Sequence, residues 1–292
     1  MLIDGKKIAT KVRNSLKQRI SELKADGITP GLAVILIGDD PASQAYVRMK
    51  EKAFKKLNML SETFRIPGDT PQEKVLDLIE QLNRDDKFHG ILIQIPVPDH
   101  LDEMTLLQAV DPEKDADGIH PVSLGKMVLG IETPLPCTPH GILKLLEYSD
   151  IQTEGKQVAV IGRSNIVGKP IANLLSQKRD FGNATVTICH SRTKNIKKIT
   201  RQADILIVAV GQPELITADY VKNGVVVIDV GSNRIEAPET EKGYRFVGDV
   251  DFDEVVQKAS AITPSPGGVG PMTISMLLYN TVYLAEKYGH SK

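Results

Sequence analysis

An α/β fold in two domains, the second built on a doubly wound parallel sheet, is what this sequence predicts. Three observations carry that prediction. Short runs rich in Val, Ile and Leu alternate with longer, charged, helix-periodic segments over nearly the whole chain, the pattern of parallel strands joined by helical crossovers. The 292 residues suit two domains of ordinary size better than one. A glycine-bearing turn joins an apolar run to a helix in mid-chain, "KQVAVIGRSNIVGKPIANLLSQ" (156–177), and so starts a second strand series.

In the first series, strands are expected at "GLAVILIG" (31–38), "SETFRI" (61–66) and "GILIQIPV" (90–97), with helices over 5–26, 41–57 and 71–84. "TPHGILKLLEYSD" (138–150) reads as a helix leading to the second series. There the strands are "KQVAVIG" (156–162), "ATVTIC" (184–189), "ADILIVAV" (203–210), "GVVVIDVG" (224–231) and "YRFVGDV" (244–250). The apolar tail "MTISMLLYNTVYLAEKYG" (272–289) has helical spacing and no strand after it, so it is expected to return to the first domain. The expected domains are therefore 1–140 plus 272–292, and 141–271, a Rossmann-like dinucleotide domain. The cleft that two such domains form is the default place for a ligand.

The 36 basic and 37 acidic residues nearly cancel, so no general field draws the chain to nucleic acid or an anionic membrane. A small-molecule partner is expected instead. The N-terminus lacks the apolar stretch of a secretory signal, and runs such as "ILIVAV" (205–210) are too short to span a bilayer, so a cytoplasmic protein is the default. Cys137 and Cys189 stand far apart with no metal-ligand spacing around them, which argues against a disulfide framework or structural metal and reads both as buried small hydrophobes.

Gly162 ends the first strand of the second series, and Gly168 and Pro170 open the next helix, whose N-terminus offers backbone N–H groups to a phosphate. The spacing is neither a Walker A loop nor G-x-G-x-x-G. Such a turn is also ordinary punctuation in a strand-to-helix unit. The following strand sharpens the nucleotide reading, although a lone Arg after a strand is also an ordinary solvated residue, because the residue that closes it meets the adenosine ribose, where an acid favours NAD and a base accommodates the phosphate of NADP. Here it ends "CHSRT", with Ser191 and Arg192 in place of an acid and Arg163 in the preceding loop, so NADP is favoured.

In "PASQAYVRMKEKAFKKL", Ser43, Tyr46 and Lys50 are three and four apart and share one helical face. A Lys in such a run is ordinarily a solvated charge. One that acts as acid–base must lose its proton near neutral pH, and neighbouring cations with partial burial push in that direction. Gln94 lies at the carboxyl end of a strand, where open α/β sheets bind ligands. In "DPEKDADGIHP", Asp117 precedes Gly118, where a turn can aim a carboxylate inward; its two oxygens suit the paired N–H groups of an amino-pyrimidinone edge. A metal reading of Asp111, Asp115 and Asp117 lacks the spacing of a calcium loop.

Taken together, these residues resemble the bifunctional methylenetetrahydrofolate dehydrogenase/methenyltetrahydrofolate cyclohydrolase (FolD) family. The resemblance is carried by "QIPVP" (94–98), "KDADG" (114–118), "PCTPHG" (136–141), "GRSNIVGKP" (162–170), "GQP" (211–213), "IDVG" (228–231), "GDVDF" (248–252) and "PGGVGPMTI" (266–274), in order along nearly the entire chain. It implies oxidation of 5,10-methylenetetrahydrofolate with NADP⁺, then hydrolysis of the methenyl product to 10-formyltetrahydrofolate, by a cytoplasmic homodimer. It further implies that Lys50 is the cyclohydrolase acid–base, that Gln94 bonds and tunes it, that Tyr46 stacks on the aminobenzoyl ring and that Asp117 holds the pterin. Pro266, Gly267 and Gly268 would line the folate, while Gly162, Arg163, Ser164, Gly168, Ser191, Arg192, Gly211 and Ser232 would lie along NADP. Glycines in 266–270 allow close backbone approach, and Pro271 suits the first turn of the tail helix.

Ile95, Ala116, Ser123, Ser232 and Ser265 depart from the commonest family pattern. Ile95 and Ala116 are mild apolar exchanges. Ser123 is expected to cost a loop hydrogen bond, and Ser232 and Ser265 bear on cofactor affinity. Two other readings share this architecture. A shikimate-type dehydrogenase also uses a Lys with an Asp, but does not account for Tyr46, Gln94 and the glycine-rich segment together. An NADP-binding sensor would need neither Lys50, Gln94 nor Asp117.

Overall fold

The computed structural model describes residues 1–240 and 243–289. Two compact units divide the chain. The first holds Lys11–Cys137 and the tail from Ile274; the second holds Met1–Thr10 and Thr138–Thr273.

In the first unit, α1 (Gly5–Ala25) leads to β1 (Gly31–Ile37), whose seven residues are all buried, as expected of a central parallel strand covered on both faces. α2 (Pro41–Lys56) follows after three residues; Pro41 starts it and the Asp40 carboxylate accepts the Ser43 N–H at 2.6 Å. Then come β2 (Leu60–Ile66), α3 (Gln72–Arg84) and β3 (Gly90–Ile93), and the strands form a parallel sheet in the order β2-β1-β3. Val75, Ile79 and Leu82, four and three apart on α3, pack with Ile35, Phe88 and Ile91 in the core. β3 stops at Ile93, short of the expected Val97, because Pro96 and Pro98 cannot donate to the ladder. Two short helices, α4 (Glu103–Ala109) and α5 (Pro121–Val128), complete this stretch.

α6 (Cys137–Tyr148) carries the chain into the second unit. β4 (Gln157–Ile161), α7 (Gly168–Ser176), β5 (Thr185–Cys189), α8 (Ile196–Thr200), β6 (Ile205–Val208) and β7 (Val226–Asp229) alternate strand and helix or loop. β8 (Asn233–Glu236), β9 (Tyr244–Val247), α9 (Phe252–Val255), β10 (Ala261–Ile262) and α10 (Val269–Tyr288) follow. The parallel sheet runs β10-β7-β6-β4-β5.

The expected strand at 244–250 is not part of that sheet. β9 pairs antiparallel with β8 instead. The connection over 237–243 is far shorter than the dozen or so residues a parallel crossover needs, so the chain can only turn back on itself. The sheet edge goes to β10.

Residues 1–10 also lie with the second unit, where the sequence reading set them with the first. Ile3 N–H donates to Ile262 O at 2.8 Å and Ile262 N–H to Met1 O at 3.0 Å, so the N-terminus extends the β10 edge. α10 returns to the first unit beyond Thr273: the Asn280 amide donates to Ala116 O and Leu135 O, each at 2.9 Å, and Arg19 makes a bidentate pair with Glu286. Among the described residues no helix is long and apolar enough to cross a membrane.

Candidate active site

Lys50 sits in the last part of α2, and β3 ends one residue before Gln94, so helix and strand end bring the two side chains together. Lys50 Nζ donates to Gln94 Oε1 at 3.0 Å. The Gln94 amide is oriented by its own Nε2–H donating to Ile95 O at 2.8 Å, which leaves the carbonyl oxygen for the amine. Burial holds the Lys50 amine below the ordinary lysine range, while the Asp117 charge pulls it the other way. An amine so placed exchanges protons more readily than a solvated lysine. Tyr46 lies one turn before Lys50 and keeps 39% of its surface exposed, leaving its ring free to receive a flat ligand.

Asp117 owes its position to Asp115, a residue the sequence offered only as a weak metal ligand. The buried Asp115 carboxylate accepts the N–H groups of Gly118 (3.0 Å), Ile119 (3.3 Å) and His120 (2.9 Å). Ser123 is buried in the same loop, and its hydroxyl favours the charged form of this carboxylate. Burial raises the Asp115 carboxyl, and the Ser123 and His120 donors offset that. Gly118 takes φ +71°, and a Cβ there would meet the Leu135 carbonyl carbon at 2.4 Å, so the turn after Asp117 admits only glycine.

Sequence reasoning missed Cys137 as a member of this cluster. It is buried as expected, yet its thiol donates to Ala116 O at 3.5 Å, and burial together with the neighbouring Asp117 charge keeps it well above the usual thiol range. The thiol is therefore a neutral donor rather than a nucleophile. Lys50, Gln94, Asp117 and Cys137 form one polar cluster in the first unit.

In the second unit, Gly162 follows β4 at φ +125°, where a Cβ would meet Ala209 O at 2.2 Å. A Cβ on Gly168 would meet Gly162 O at 2.3 Å, so both glycines are required for α7 to start this close to the strand. Ser164 Oγ accepts the N–H groups of Val167 (3.1 Å) and Gly168 (3.3 Å), which fixes the loop, and Arg163 points to solvent. Beyond β5, the Arg192 N–H donates to His190 Nδ1 at 3.1 Å, and Ser191 and Arg192 are both exposed. No acid closes β5. A tight glycine turn, a helix N-terminus and exposed guanidinium groups at adjacent strand ends fit a dinucleotide that carries an extra phosphate.

Gly211 (φ +68°) follows β6, and Ser232, exposed, lies between β7 and β8. Ser265 Oγ donates to Gly231 O at 2.6 Å, tying the glycine-rich segment to the loop that carries Ser232. The Ser265–Pro266 bond is cis, Gly267 has φ +115°, and Pro271 falls in the first turn of α10 as expected. A Cβ on Gly5 would lie 1.8 Å from Gly268 O, so the start of α1 is packed against this segment. Pro266, Gly267 and Gly268 thus belong to the second unit, and Lys50, Gln94 and Asp117 to the first.

Two family descriptions match the chain: the tetrahydrofolate dehydrogenase/cyclohydrolase catalytic domain over residues 3–117, and the NAD(P)-binding domain of the same family over residues 136–289. A bifunctional FolD protein of Prosthecochloris aestuarii is 56% identical over 285 residues, 97% of each chain. Among solved structures, the bifunctional FolD methylenetetrahydrofolate dehydrogenase/cyclohydrolase of Campylobacter jejuni superimposes with a TM-score of 0.92 at 48% identity, covering 98% of this chain and 99% of that one. The Trypanosoma brucei methylenetetrahydrofolate dehydrogenase-cyclohydrolase, solved with NADP and an inhibitor, gives a TM-score of 0.94 at 38% identity over 99% and 98% of the two chains.

Proposed function

Because the chain belongs to the tetrahydrofolate dehydrogenase/cyclohydrolase family, we propose that it oxidises 5,10-methylenetetrahydrofolate with NADP⁺ and hydrolyses the resulting methenyl compound to 10-formyltetrahydrofolate. The observation that carries this reading is the Lys50–Gln94 bond beside Asp117, a proton-handling group next to a carboxylate that can grip a pterin. In the proposal Tyr46, Lys50, Gln94 and Asp117 of the first unit grip the folate, and the loops of the second unit bind NADP. NADP supplies the hydride acceptor when bound.

The chain's own residues orient the folate and handle protons. Asp117 accepts the paired N–H groups of the pterin edge, and Tyr46 stacks on the aminobenzoyl ring. Orientation does most of the work of the first step. In the second, water adds to the one-carbon bridge, Lys50 Nζ takes a proton from the added water, and the bond from that carbon to N5 breaks. N5 receives one proton as the formyl group stays on N10, and one proton is released overall. Gln94 Oε1 holds the amine in place through the exchange. Pro266, Gly267 and Gly268 are assigned to folate contacts. Gly162, Arg163, Ser164, Gly168, Ser191, Arg192, Gly211 and Ser232 are assigned to NADP, with Arg163 and Arg192 near its extra phosphate.

The proposal includes a cytoplasmic homodimer, as the family resemblance implies. β5 ends its sheet with one edge unpaired among the described residues, and such an edge can be extended by a second copy.

A single time course tests the function. 5,10-Methylenetetrahydrofolate is mixed with NADP⁺, and NADPH, the methenyl compound and the formyl product are followed together, with a parallel NAD⁺ reaction. Both activities are expected, with formyl product appearing faster than spontaneous hydrolysis. NADPH with persisting methenyl compound would remove the Lys50 assignment, and no reduction of either cofactor would remove the proposal.

A further inference from the structure

β4, β6 and β7 lie side by side in the second sheet, and the loops at their carboxyl ends carry Gly162, Gly211 and Ser232. What shapes the last two loops is a single buried side chain. Asp249, with 0% exposure, follows β9. Its Oδ2 accepts the N–H groups of Val210 (2.7 Å) and Gly211 (3.0 Å); its Oδ1 accepts the N–H of Gln212 (3.0 Å) and the side-chain amide of Asn233 (2.8 Å). Three successive backbone N–H groups converging on one point make a nest of the kind that binds anions. Here an internal carboxylate fills it, so the nest serves to fix the loop.

A second carboxylate locks the first. Asp229, the last residue of β7, accepts the N–H groups of Gly231 (2.9 Å), Asp249 (3.0 Å) and Val250 (3.1 Å). The knot leaves no room for side chains around it. A Cβ on Gly231 would lie 2.4 Å from the Asp249 carboxylate, and one on Gly248 would lie 1.7 Å from Asp229 Oδ2.

We infer that Asp249 is a positioning residue for the cofactor: through four hydrogen bonds it holds the loops after β6 and β7 in the shape that admits NADP. It touches no reacting atom. The inference rests on the assignment of Gly211 and Ser232 to the cofactor.

The test compares wild type with Asp249→Asn and Asn233→Ala. NADP⁺ affinity is titrated, and cyclohydrolase kcat/KM on the methenyl compound is measured without cofactor. An Asn at 249 turns an amide NH₂ toward two N–H donors whichever way it faces, so NADP⁺ affinity should fall by about tenfold or more while cyclohydrolase stays within about twofold. Asn233→Ala removes one of the four donors and should weaken NADP⁺ by roughly two- to fivefold, again sparing the hydrolysis. That split is what a merely structural role would not produce. Unchanged NADP⁺ affinity in Asp249→Asn overturns the inference. If Asp249→Asn does not fold, Asn233→Ala decides, and unchanged affinity there overturns it too. Wild type that turns over the methenyl compound but binds no NADP⁺ would remove the cofactor assignment itself, and this inference with it.

Discussion

Lys50 in the first unit is held by Gln94 and enclosed beside Asp117 and Cys137, whereas Arg163, Ser191 and Arg192 in the second unit stand in solvent on loops fixed by the Ser164 and His190 side chains. The two regions share a device beneath this difference. In each, a buried aspartate gathers three backbone N–H groups, Asp115 under the Asp117 turn and Asp249 under the Gly211 turn. Above the shared device they diverge as the proposed tasks of the two regions require. A proton-transfer group needs a shifted pKa, which requires burial and fixed neighbours. A cofactor that comes and goes needs accessible charges that find their partner only on binding.

The largest expected effect breaks the first region alone. Lys50→Met should lower cyclohydrolase kcat by about a thousandfold while part of the dehydrogenase activity survives, since hydride transfer depends on orientation rather than on this amine. Parallel assays of both steps check it, and equal loss of both would show that Lys50 binds substrate instead of moving a proton. Next comes the support beneath. Asp115→Ala strands three buried N–H groups and should cost about 3 kcal/mol in denaturant unfolding, against a loss below about 0.5 kcal/mol if the loop rearranges to bond elsewhere.

What could be read in advance follows the same division. Tyr46 and Lys50 were legible because helical spacing fixes a shared face, and Gln94 because a run of β-branched residues ends just before two prolines. Gly162 and Gly168 were legible as a strand-to-helix turn. Asp115 and Asp249 were not: a carboxylate that bonds backbone has no periodic mark and looks like any turn acid until the fold closes around it. Cys137 read as a small hydrophobe, since its polar neighbour Asp117 is brought to it by the turn at Gly118. The β8–β9 hairpin escaped because Tyr244–Val247 has the composition of a sheet strand, and the short connection before it was the only sign against one. The N-terminal ten residues joined the second unit through backbone bonds to Ile262, which side-chain pattern does not announce.

The second unit also holds an enclosed base, and pH can reveal it. Burial, with the charges of Lys144 and Arg179 adding, pushes His140 from its ordinary value down to about 3. Between pH 6.5 and about 3 the unfolded chain binds a proton there that the folded chain does not, so stability is lost as pH falls through that window. At pH 5 the loss should be roughly 2 kcal/mol. His140→Leu should flatten that part of the profile, as unfolding midpoints at pH 7 and pH 5 would show. An unchanged slope would mean that His140 takes its proton without unfolding.

The smallest expected effect separates cofactor choice from everything else. Arg192 lies exposed just beyond β5, in the place where an acid would favour NAD, and its guanidinium can reach a ribose phosphate. Arg192→Ser should therefore reduce the preference for NADP⁺ over NAD⁺ by about tenfold, or about 1.4 kcal/mol. Because the charge is exposed, the effect should shrink with added salt, and kcat/KM for NAD⁺ and the cyclohydrolase rate should hold. A preference that survives the substitution would shift the phosphate contact to Arg163, whose loop is pinned by Ser164. The contrast would then rest on one arginine set by its loop instead of two exposed ones, and the second unit would resemble the first more closely than its exposure suggests.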